Sequence, residues 1–242
     1  MNISLTGKKV LVTGASGAVG SGIARAAREA GAWVIGSYLR NEQEAGRLTS
    51  EGIRMERADL SDRTQARALV GRALEEAGSL DALIYSAGNT RDRMLLKMSD
   101  LEWDEVMRIH LDGLAACCRA VLPGMQERRQ GKIIAVGSQS GLTGRMGQAN
   151  YSAAKAATVG FIKSLAREAG RFGVTANVVC PGFIDSPMTR SAPPEAWDRA
   201  KAASALGTIS SAQTAATFAV WLLSDLCSGV TGQVFQLDSR IL

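Results

Sequence analysis

Short apolar segments alternate with helical segments along this chain, and the alternation constrains the fold more than any other feature. Residues 10–12, 82–85 and 133–136 are uninterrupted apolar segments of this kind. A strand with one face in water would alternate polar and apolar residues instead. Further strands are predicted at 33–35, 53–58, 174–180 and 234–237. The sequence therefore predicts an α/β fold, a parallel sheet with helices on both faces.

The domain prediction rests on length and continuity. Single α/β domains commonly reach the 242 residues of this chain, and no repeat or low-complexity linker divides it. We expect one domain over residues 1–242. Apolar residues from Trp103 to Leu122 predict one long helix near the middle. The least regular stretch, 183–206, contains three prolines and is interpreted as a segment that covers the substrate.

Composition excludes several classes of function. The start of the chain lacks an apolar segment long enough for a signal peptide, and no run could span a bilayer, so we expect a soluble cytoplasmic protein. The four cysteines form no CxxC or Cys/His cluster, which predicts reduced thiols and no metal site. A net charge of +5 without a basic run fits an anionic cofactor or an acidic partner, not nucleic acid.

The first predicted strand leads into a Gly-rich turn and a helix start, KVLVTGASGAVG, over residues 9–20. Gly14, Gly17 and Gly20 allow the backbone to approach a pyrophosphate at the helix N-terminus, where free N–H groups favour negative charge. Such a turn alone is a weak signal, because it also serves backbone geometry. Its place after the first strand of an alternating α/β chain favours dinucleotide binding.

The end of the second strand indicates which dinucleotide is bound. Folds that prefer NAD usually have an acidic residue here, against the ribose 2′-hydroxyl. This chain reads GSYLRN, with Ser37 and Arg40 and no acid. Arg40, together with Ser37, is suited to pairing a 2′-phosphate, so the sequence favours NADP(H). The alternative is that Arg40 is a solvated surface residue.

Three polar residues predict acid–base chemistry. Tyr151 and Lys155 are spaced i and i+4, so they lie on one face of a predicted helix. A neighbouring ammonium favours the tyrosinate, so we expect a lowered pKa at Tyr151, suited to a general acid or base. Ser138 follows a strand at the edge where such sheets bind ligands, and its hydroxyl is suited to holding a substrate carbonyl.

Together these motifs resemble the short-chain dehydrogenase/reductase family over nearly the whole chain, and most of all its β-ketoacyl-acyl-carrier-protein reductases. The matching stretches are VTGASGAVG, AGNTRDRMLLKMSDLEW, GKIIAVGSQSGLTGRMGQANYSAAKAATVGFIKSLARE and NVVCPGFIDSPMT. The resemblance implies a single-domain Rossmann-type doubly wound sheet. It also implies reduction of a ketone by NADPH.

The resemblance also implies residue roles. Tyr151 would give the carbonyl oxygen its proton, Lys155 would bind the nicotinamide ribose and lower the Tyr151 pKa, and Ser138 would hydrogen-bond the carbonyl. Asp59 would contact adenine. Pro181, Gly182 and Ile184 would flank the nicotinamide, and Thr189 would lie near its carboxamide or the diphosphate. The implied cofactor contacts are Gly14, Ser16, Gly17, Ala18, Gly20, Arg40, Asp59, Leu60, Ser86, Ala87, Gly88, Tyr151, Lys155, Pro181, Gly182, Ile184 and Thr189.

Three stretches depart from the family pattern. Ala18 replaces the middle Gly of the TGxxxGxG turn, so a methyl crowds the pyrophosphate approach. Residues 85–88 read Tyr-Ser-Ala-Gly where the family has Asn-Asn-Ala-Gly, which leaves Ser86 as a shorter polar group. The chain ends in DSRIL where the family often has Asn-Gly-Gly, so we expect subunit contacts that differ from the common tetramer.

A fourth departure is His110, the only histidine of the chain. It stands where the family has an Asn that holds a water on the proton path to the active-site Lys. His110 is expected to hold the same water, or to relay a proton itself, because an imidazole titrates near neutral pH. The alternative is a residue that fills space and slows turnover.

The partner predictions also come from the resemblance. Arg129 and Arg171 fall where carrier-protein reductases present basic residues to an acidic carrier. The alternative is that both arginines are solvated residues at helix ends. The first hypothesis is an NADPH-dependent reductase of 3-oxoacyl thioesters on an acyl carrier protein, forming a homodimer or homotetramer. The second is a reductase of a free small ketone. The third is a weakly active partner subunit in a heteromer with another reductase chain.

Overall fold

The computed structural model describes residues 3–190 and 193–240, and its centre is a seven-stranded sheet in the order β3-β2-β1-β4-β5-β6-β7. Every neighbouring pair of strands is parallel. The strands are β1 Lys9–Thr13, β2 Trp33–Tyr38, β3 Arg54–Arg57, β4 Ala82–Tyr85, β5 Gly131–Val136, β6 Val174–Pro181 and β7 Val234–Leu237. The prediction of a doubly wound parallel α/β sheet is confirmed.

Helices connect the strands. They are α1 Ala18–Glu29, α2 Glu42–Ser50, α3 Arg63–Ala77, α4 Asp100–Met107, α5 Gly113–Glu127, α6 Ser140–Thr143, α7 Ala149–Gly170, α8 Pro187–Arg190, α9 Pro194–Ala202 and α10 Ala212–Leu223. Strand order reverses between β1 and β4, and in such sheets ligands bind in the crevice beyond the carboxyl ends of the strands.

The continuous apolar sequence of each strand follows from burial on both faces. In β1 the side chains of Val10 and Val12 pack into a core with α1 and α10. Leu11, between them, points to the other face and packs into a core with α3, α5 and α7. Because successive side chains of a strand alternate between faces, two helical layers require apolar residues at every position.

The long helix predicted from Trp103 to Leu122 is interrupted. Residues Arg108–Asp112 form a π turn between α4 and α5, in which the Gly113 N–H bonds to the Arg108 carbonyl, five residues back. The apolar periodicity continues through the π turn, so the sequence predicts the long helical stretch but not the π turn within it. Single π turns inside helices are frequent at functional sites.

Lys132 at the start of β5 stabilises the end of α10. Its Nζ donates to the carbonyl oxygens of Leu222, Ser224 and Cys227 at 3.0, 2.6 and 2.9 Å. These carbonyls lie at or just past the helix C-terminus, where backbone acceptors lack helical partners and a cation is favoured.

We expect Lys132→Met to lower the free energy of unfolding by about 3 kcal/mol, because three carbonyls lose a charged donor. Urea denaturation measures the change. Lys8→Met is the matched control, since Lys8 pairs with the exposed Asp225 and its loss should cost under about 1 kcal/mol. Equal losses in the two variants would contradict this role for Lys132.

Neither membrane-spanning nor metal-binding features occur in the part of the chain that the structure describes. Within residues 3–190 and 193–240, no helix combines the length and apolarity needed to cross a bilayer. Over the same residues, no three His, Cys, Asp or Glu side chains are grouped to hold a metal ion. The four cysteines are buried and unpaired.

Candidate active site

A cavity of about 1050 Å³ opens at the carboxyl ends of the strands. Its walls include the Gly-rich turn before α1, the segment after β4, the segment after β5, the start of α7 and the segment after β6. The predicted site residues that line it are Ser16, Gly17, Ala18, Ser86, Gly88, His110, Ser138, Tyr151, Lys155, Pro181, Gly182, Ile184 and Thr189. The fold thus brings residues that are far apart in sequence together around one cavity.

Tyr151 and Lys155 lie one turn apart near the start of α7, as their spacing predicts. The Lys155 Nζ lies 5.7 Å from the centroid of the Tyr151 ring. Ser138 follows β5, and hydrogen bonding from its side chain acts to lower the pKa of Tyr151. A hydroxyl, a phenol and an ammonium therefore share one side of the cavity, the arrangement needed to bind and protonate a carbonyl oxygen.

The expectation of a lowered pKa at Tyr151 is wrong for this structure. Burial raises the pKa of the phenol above its ordinary value, against the opposing effect of the Ser138 side chain. Lys155 Nζ instead donates to the Val136 carbonyl at 2.6 Å. Helical spacing placed the two groups on one face, but it could not show where the ammonium is directed.

Lys155 is itself shifted by its surroundings. Its side chain is buried, and burial lowers the pKa of the ammonium to about 8, because the charged form loses hydration. At pH 7 the group remains mostly protonated. It therefore still places a positive charge beside the ring of Tyr151.

Asn150 fixes the start of α7, a role the sequence did not reveal. Its side chain is fully buried, and its Nδ2 donates to the carbonyls of Arg91 and Glu102, both at 3.1 Å. Its Oδ1 accepts the backbone N–H of Tyr151 at 2.7 Å. The adjacent Gln148 likewise donates to the Asp92 carboxylate at 2.7 Å. The only signal in the sequence is the position of Asn150, directly before Tyr151.

The Gly-rich turn has the close approaches that its glycines predict. Gly14 has φ +63°, and a Cβ there would lie 2.7 Å from the Cα of Ala87. A Cβ at Gly20 would collide with the Gly14 carbonyl oxygen. The Thr13 hydroxyl accepts the N–H groups of Ser86 and Ala87 at 3.1 and 3.3 Å, which joins the ends of β1 and β4. Gly14 and Gly20 thus pack against neighbouring backbone, and the residues of the turn that line the cavity are Ser16, Gly17, Ala18 and Val19.

The residues at and just past the end of β2 only partly match the prediction. Ser37 is buried and its hydroxyl accepts the Gly14 N–H at 3.1 Å, so its predicted pairing with a phosphate was wrong. Arg40 is exposed, and no carboxylate pairs with it in residues 3–190 and 193–240. Asn41, which the sequence reading passed over, lines the cavity and donates to the Ser16 carbonyl at 3.2 Å.

Six of the implied cofactor contacts do not line the cavity: Gly14, Gly20, Arg40, Asp59, Leu60 and Ala87. The Asp59 carboxylate accepts the Ser61 hydroxyl at 2.7 Å, and the Leu60 side chain is buried in the core. Ala87 is also buried, between β1 and β4. Thr189 does line the cavity, although its hydroxyl donates to the Ile184 carbonyl at 2.5 Å. The cofactor roles of these residues stay predictions.

His110 lies in the π turn and lines the cavity beside Tyr151. The two rings meet edge to face, with centroids 5.2 Å apart. Burial and the nearby Lys155 charge lower the pKa of the imidazole to about 3. The expectation that His110 relays protons by titrating near neutral pH is therefore wrong, since the ring is neutral there. Holding a water remains a prediction.

The segment 183–206 forms part of the cavity wall. Ala196, Arg199 and Ala200 of α9 line the cavity, and Phe183 packs edge to face on Trp197 at 5.0 Å. Residues 191 and 192 of this segment lie outside the described residues. A role in covering the substrate stays a proposal.

Arg129 and Arg171 lie together, but away from the cavity. Arg129 Nη2 donates to the Arg171 carbonyl at 2.9 Å. The two residues precede β5 and β6, so they stand at the amino ends of these strands. The cavity is at the carboxyl ends, on the opposite edge of the sheet.

Comparison with known proteins agrees with this geometry. A family described as enoyl-(acyl carrier protein) reductase matches residues 14–239. The chain is 36% identical to 3-oxoacyl-[acyl-carrier-protein] reductase of Vibrio cholerae, over 98% of each chain. It is also 36% identical to nodulation protein G of Rhizobium meliloti, over 97% of this chain and 96% of that protein.

Among solved structures, the crystal structure of gox2181 is similar over 98% of this chain and 96% of its own. The TM-score is 0.92 and the sequence identity is 31%. The similarity in each comparison covers nearly the whole chain, including both the Gly-rich turn and the segment around Tyr151.

Proposed function

This chain belongs to the short-chain dehydrogenase/reductase family, oxidoreductases that use a nicotinamide cofactor, and on that premise we propose that it reduces 3-oxoacyl thioesters with NADPH. The observation that carries the proposal is the shared cavity, which joins the Gly-rich turn to Ser138, Tyr151 and Lys155. The relatives named as 3-oxoacyl-[acyl-carrier-protein] reductases support the substrate class. One domain over residues 1–242 is part of the proposal.

The cavity fits a dinucleotide. Ser16, Gly17 and Ala18 line it at the N-terminus of α1, where free backbone N–H groups favour a pyrophosphate. When bound, NADPH supplies the hydride for the carbonyl carbon. The Lys155 ammonium has further N–H donors beyond the one on Val136, and we assign them to the ribose hydroxyls.

The remaining chemistry belongs to Ser138 and Tyr151. The Ser138 hydroxyl donates to the substrate carbonyl oxygen and orients it. The Tyr151 hydroxyl then gives its proton to that oxygen as negative charge develops there. A raised pKa keeps Tyr151 protonated at neutral pH, which suits a proton donor in the direction of reduction. Lys155 stabilises the tyrosinate that results, through its positive charge.

We assign NADPH preference to Arg40, which is exposed beyond β2 and suited to a 2′-phosphate. Arg40→Ala should raise the KM for NADPH about tenfold, while the KM for NADH stays unchanged. Arg47→Ala is the matched control, because Arg47 is equally exposed but pairs with Glu44 at 3.4 Å. An equal effect of Arg40→Ala on both cofactors would contradict the assignment.

An acyl carrier protein is the proposed partner, with Arg129 and Arg171 as its contact. These arginines lie on the edge opposite the cavity, so a carrier bound there would have to serve the cavity of a second copy. We therefore propose the contact together with a homodimer or homotetramer.

One assay separates the alternatives. The purified chain alone is supplied with NADPH and, in turn, a carrier-bound 3-oxoacyl thioester, a free small ketone and a 2-enoyl thioester, and NADPH consumption is measured. We expect the highest kcat/KM with the carrier-bound 3-oxoacyl thioester. Preference for the free ketone would overturn the carrier, and preference for the enoyl thioester would overturn ketone reduction. Turnover only after a second reductase chain is added would identify a partner subunit.

A further inference from the structure

The π turn at Arg108–Asp112 is held by a side chain from the neighbouring strand. Because the Gly113 N–H bonds to the Arg108 carbonyl, the Ile109 carbonyl loses its ordinary α-helical donor. The Tyr85 hydroxyl, at the end of β4, donates to that carbonyl at 2.5 Å. The approach requires a glycine at 113, where a Cβ would collide with both the Tyr85 hydroxyl and the Leu60 carbonyl.

The residue after Ile109 is His110, and its ring is held from two sides. Its Nε2 lies 2.8 Å from the Asn89 carbonyl and 3.3 Å from the Asn89 N–H. One nitrogen cannot both donate and accept through the same site, and the shorter contact assigns a proton to Nε2, donated to the carbonyl. The ring also lies against Gly88, where a Cβ would overlap it.

The anchored ring meets Tyr151 edge to face, with 5.2 Å between centroids. The charged or titratable neighbours that act on it are Lys155 and Tyr151, both on α7. Since the ring is neutral, its contact with Tyr151 is one of packing and of aromatic edge-to-face attraction. It fixes the ring that carries the proposed proton donor.

We propose that Tyr85 is a positioning residue for Tyr151. Its hydroxyl holds the Ile109 carbonyl, the π turn so stabilised places His110, and the His110 ring supports the Tyr151 ring. The proposal rests on the proposed function, in which Tyr151 is the proton donor. It explains two departures from the family pattern as one coupled unit, because the Tyr85 hydroxyl bonds to the turn that carries His110.

The single histidine makes a direct test possible. In ¹⁵N-histidine-labelled protein, NMR reports the tautomer and titration of His110 without any interfering signal. We expect the wild type to show the Nε2–H tautomer and no titration between pH 8 and pH 5. Tyr85→Phe should shift the ring nitrogen resonances or populate the other tautomer, whereas Tyr38→Phe, the matched control in β2, should not. These readouts do not require turnover, so they stand apart from the proposed function.

A double-mutant cycle tests the consequence for catalysis. Tyr85→Phe should lower kcat about fivefold with little change in KM, the effect of losing one hydrogen bond to a positioned turn. In the His110→Asn background the same change should lower kcat less than about twofold, since the connection to Tyr151 is already broken.

Three results would overturn the proposal. They are an Nδ1–H tautomer or titration near pH 6 in the wild type, identical His110 spectra in Tyr85→Phe and Tyr38→Phe, or an equal loss of kcat in both backgrounds. If Tyr85→Phe fails to fold, Gly113→Ala replaces it, because the added Cβ would collide with the Tyr85 hydroxyl, and the same change in the His110 spectrum is expected.

Discussion

Tyr151→Phe should reduce the turnover of a 3-oxoacyl thioester by about a thousandfold, because the variant removes the proposed proton donor and nothing else. The ring that packs on His110 is kept, so the start of α7 should not move. Binding of NADPH should be nearly unchanged, since the backbone of the Gly-rich turn and the Lys155 ammonium remain. Single-turnover kinetics and fluorescence titration with NADPH measure the two effects separately.

Ser152→Ala is the matched control for Tyr151→Phe. Ser152 is the next residue of α7, and its buried hydroxyl has no hydrogen-bond partner within residues 3–190 and 193–240. Removing it should leave turnover within about twofold. Retention of more than a tenth of the wild-type rate by Tyr151→Phe would show that another group protonates the carbonyl oxygen.

Gly14→Ala should strongly destabilise the Gly-rich turn. The residue has φ +63°, a backbone conformation that residues other than glycine adopt only at an energetic cost. The added Cβ would also lie 2.7 Å from the Ala87 Cα and 2.8 Å from the Ala87 N. These are backbone atoms that join β1 to β4 and cannot rotate away. We expect the free energy of unfolding to fall by about 3 kcal/mol and NADPH binding to be lost.

Urea denaturation and NADPH titration measure the two effects of Gly14→Ala. Gly71→Ala is the matched control, because Gly71 lies inside α3 and a Cβ added there would meet no atom within 4 Å. Alanine there should raise stability by up to about 1 kcal/mol through helix propensity. If Gly14→Ala were as stable as the wild type, the β1–β4 junction would be more compliant than its contacts indicate.

Particular residues show how far sequence reasoning reached the candidate site. Tyr151 and Lys155 were found because helical spacing depends only on local geometry, and Ser138 because the end of a parallel strand marks the ligand edge. Asn150, Gln148 and Asn41 were missed, because their hydrogen bonds join segments that the sequence does not show to be adjacent. Ser37 was misassigned for the same reason, since its Gly14 partner is 23 residues away.

The electrostatic predictions failed for a different reason. The pKa of a buried group depends on its desolvation, and no motif reports this. Burial raises the pKa of Tyr151, lowers that of Lys155 to about 8 and lowers that of His110 to about 3. Sequence reasoning started from the ordinary values of a phenol and an imidazole, which hold only in water.

The amino-acid sequence by itself determined the parallel sheet, the Gly-rich turn and the pairing of Tyr151 with Lys155. Each of these depends on periodicity, backbone freedom or spacing within a few residues. Only the tertiary structure decided that Tyr85 reaches the Ile109 carbonyl, that a π turn interrupts the central helix, and that His110 is neutral beside Tyr151. These features depend on contacts between distant segments and on burial, and neither is encoded in any local pattern.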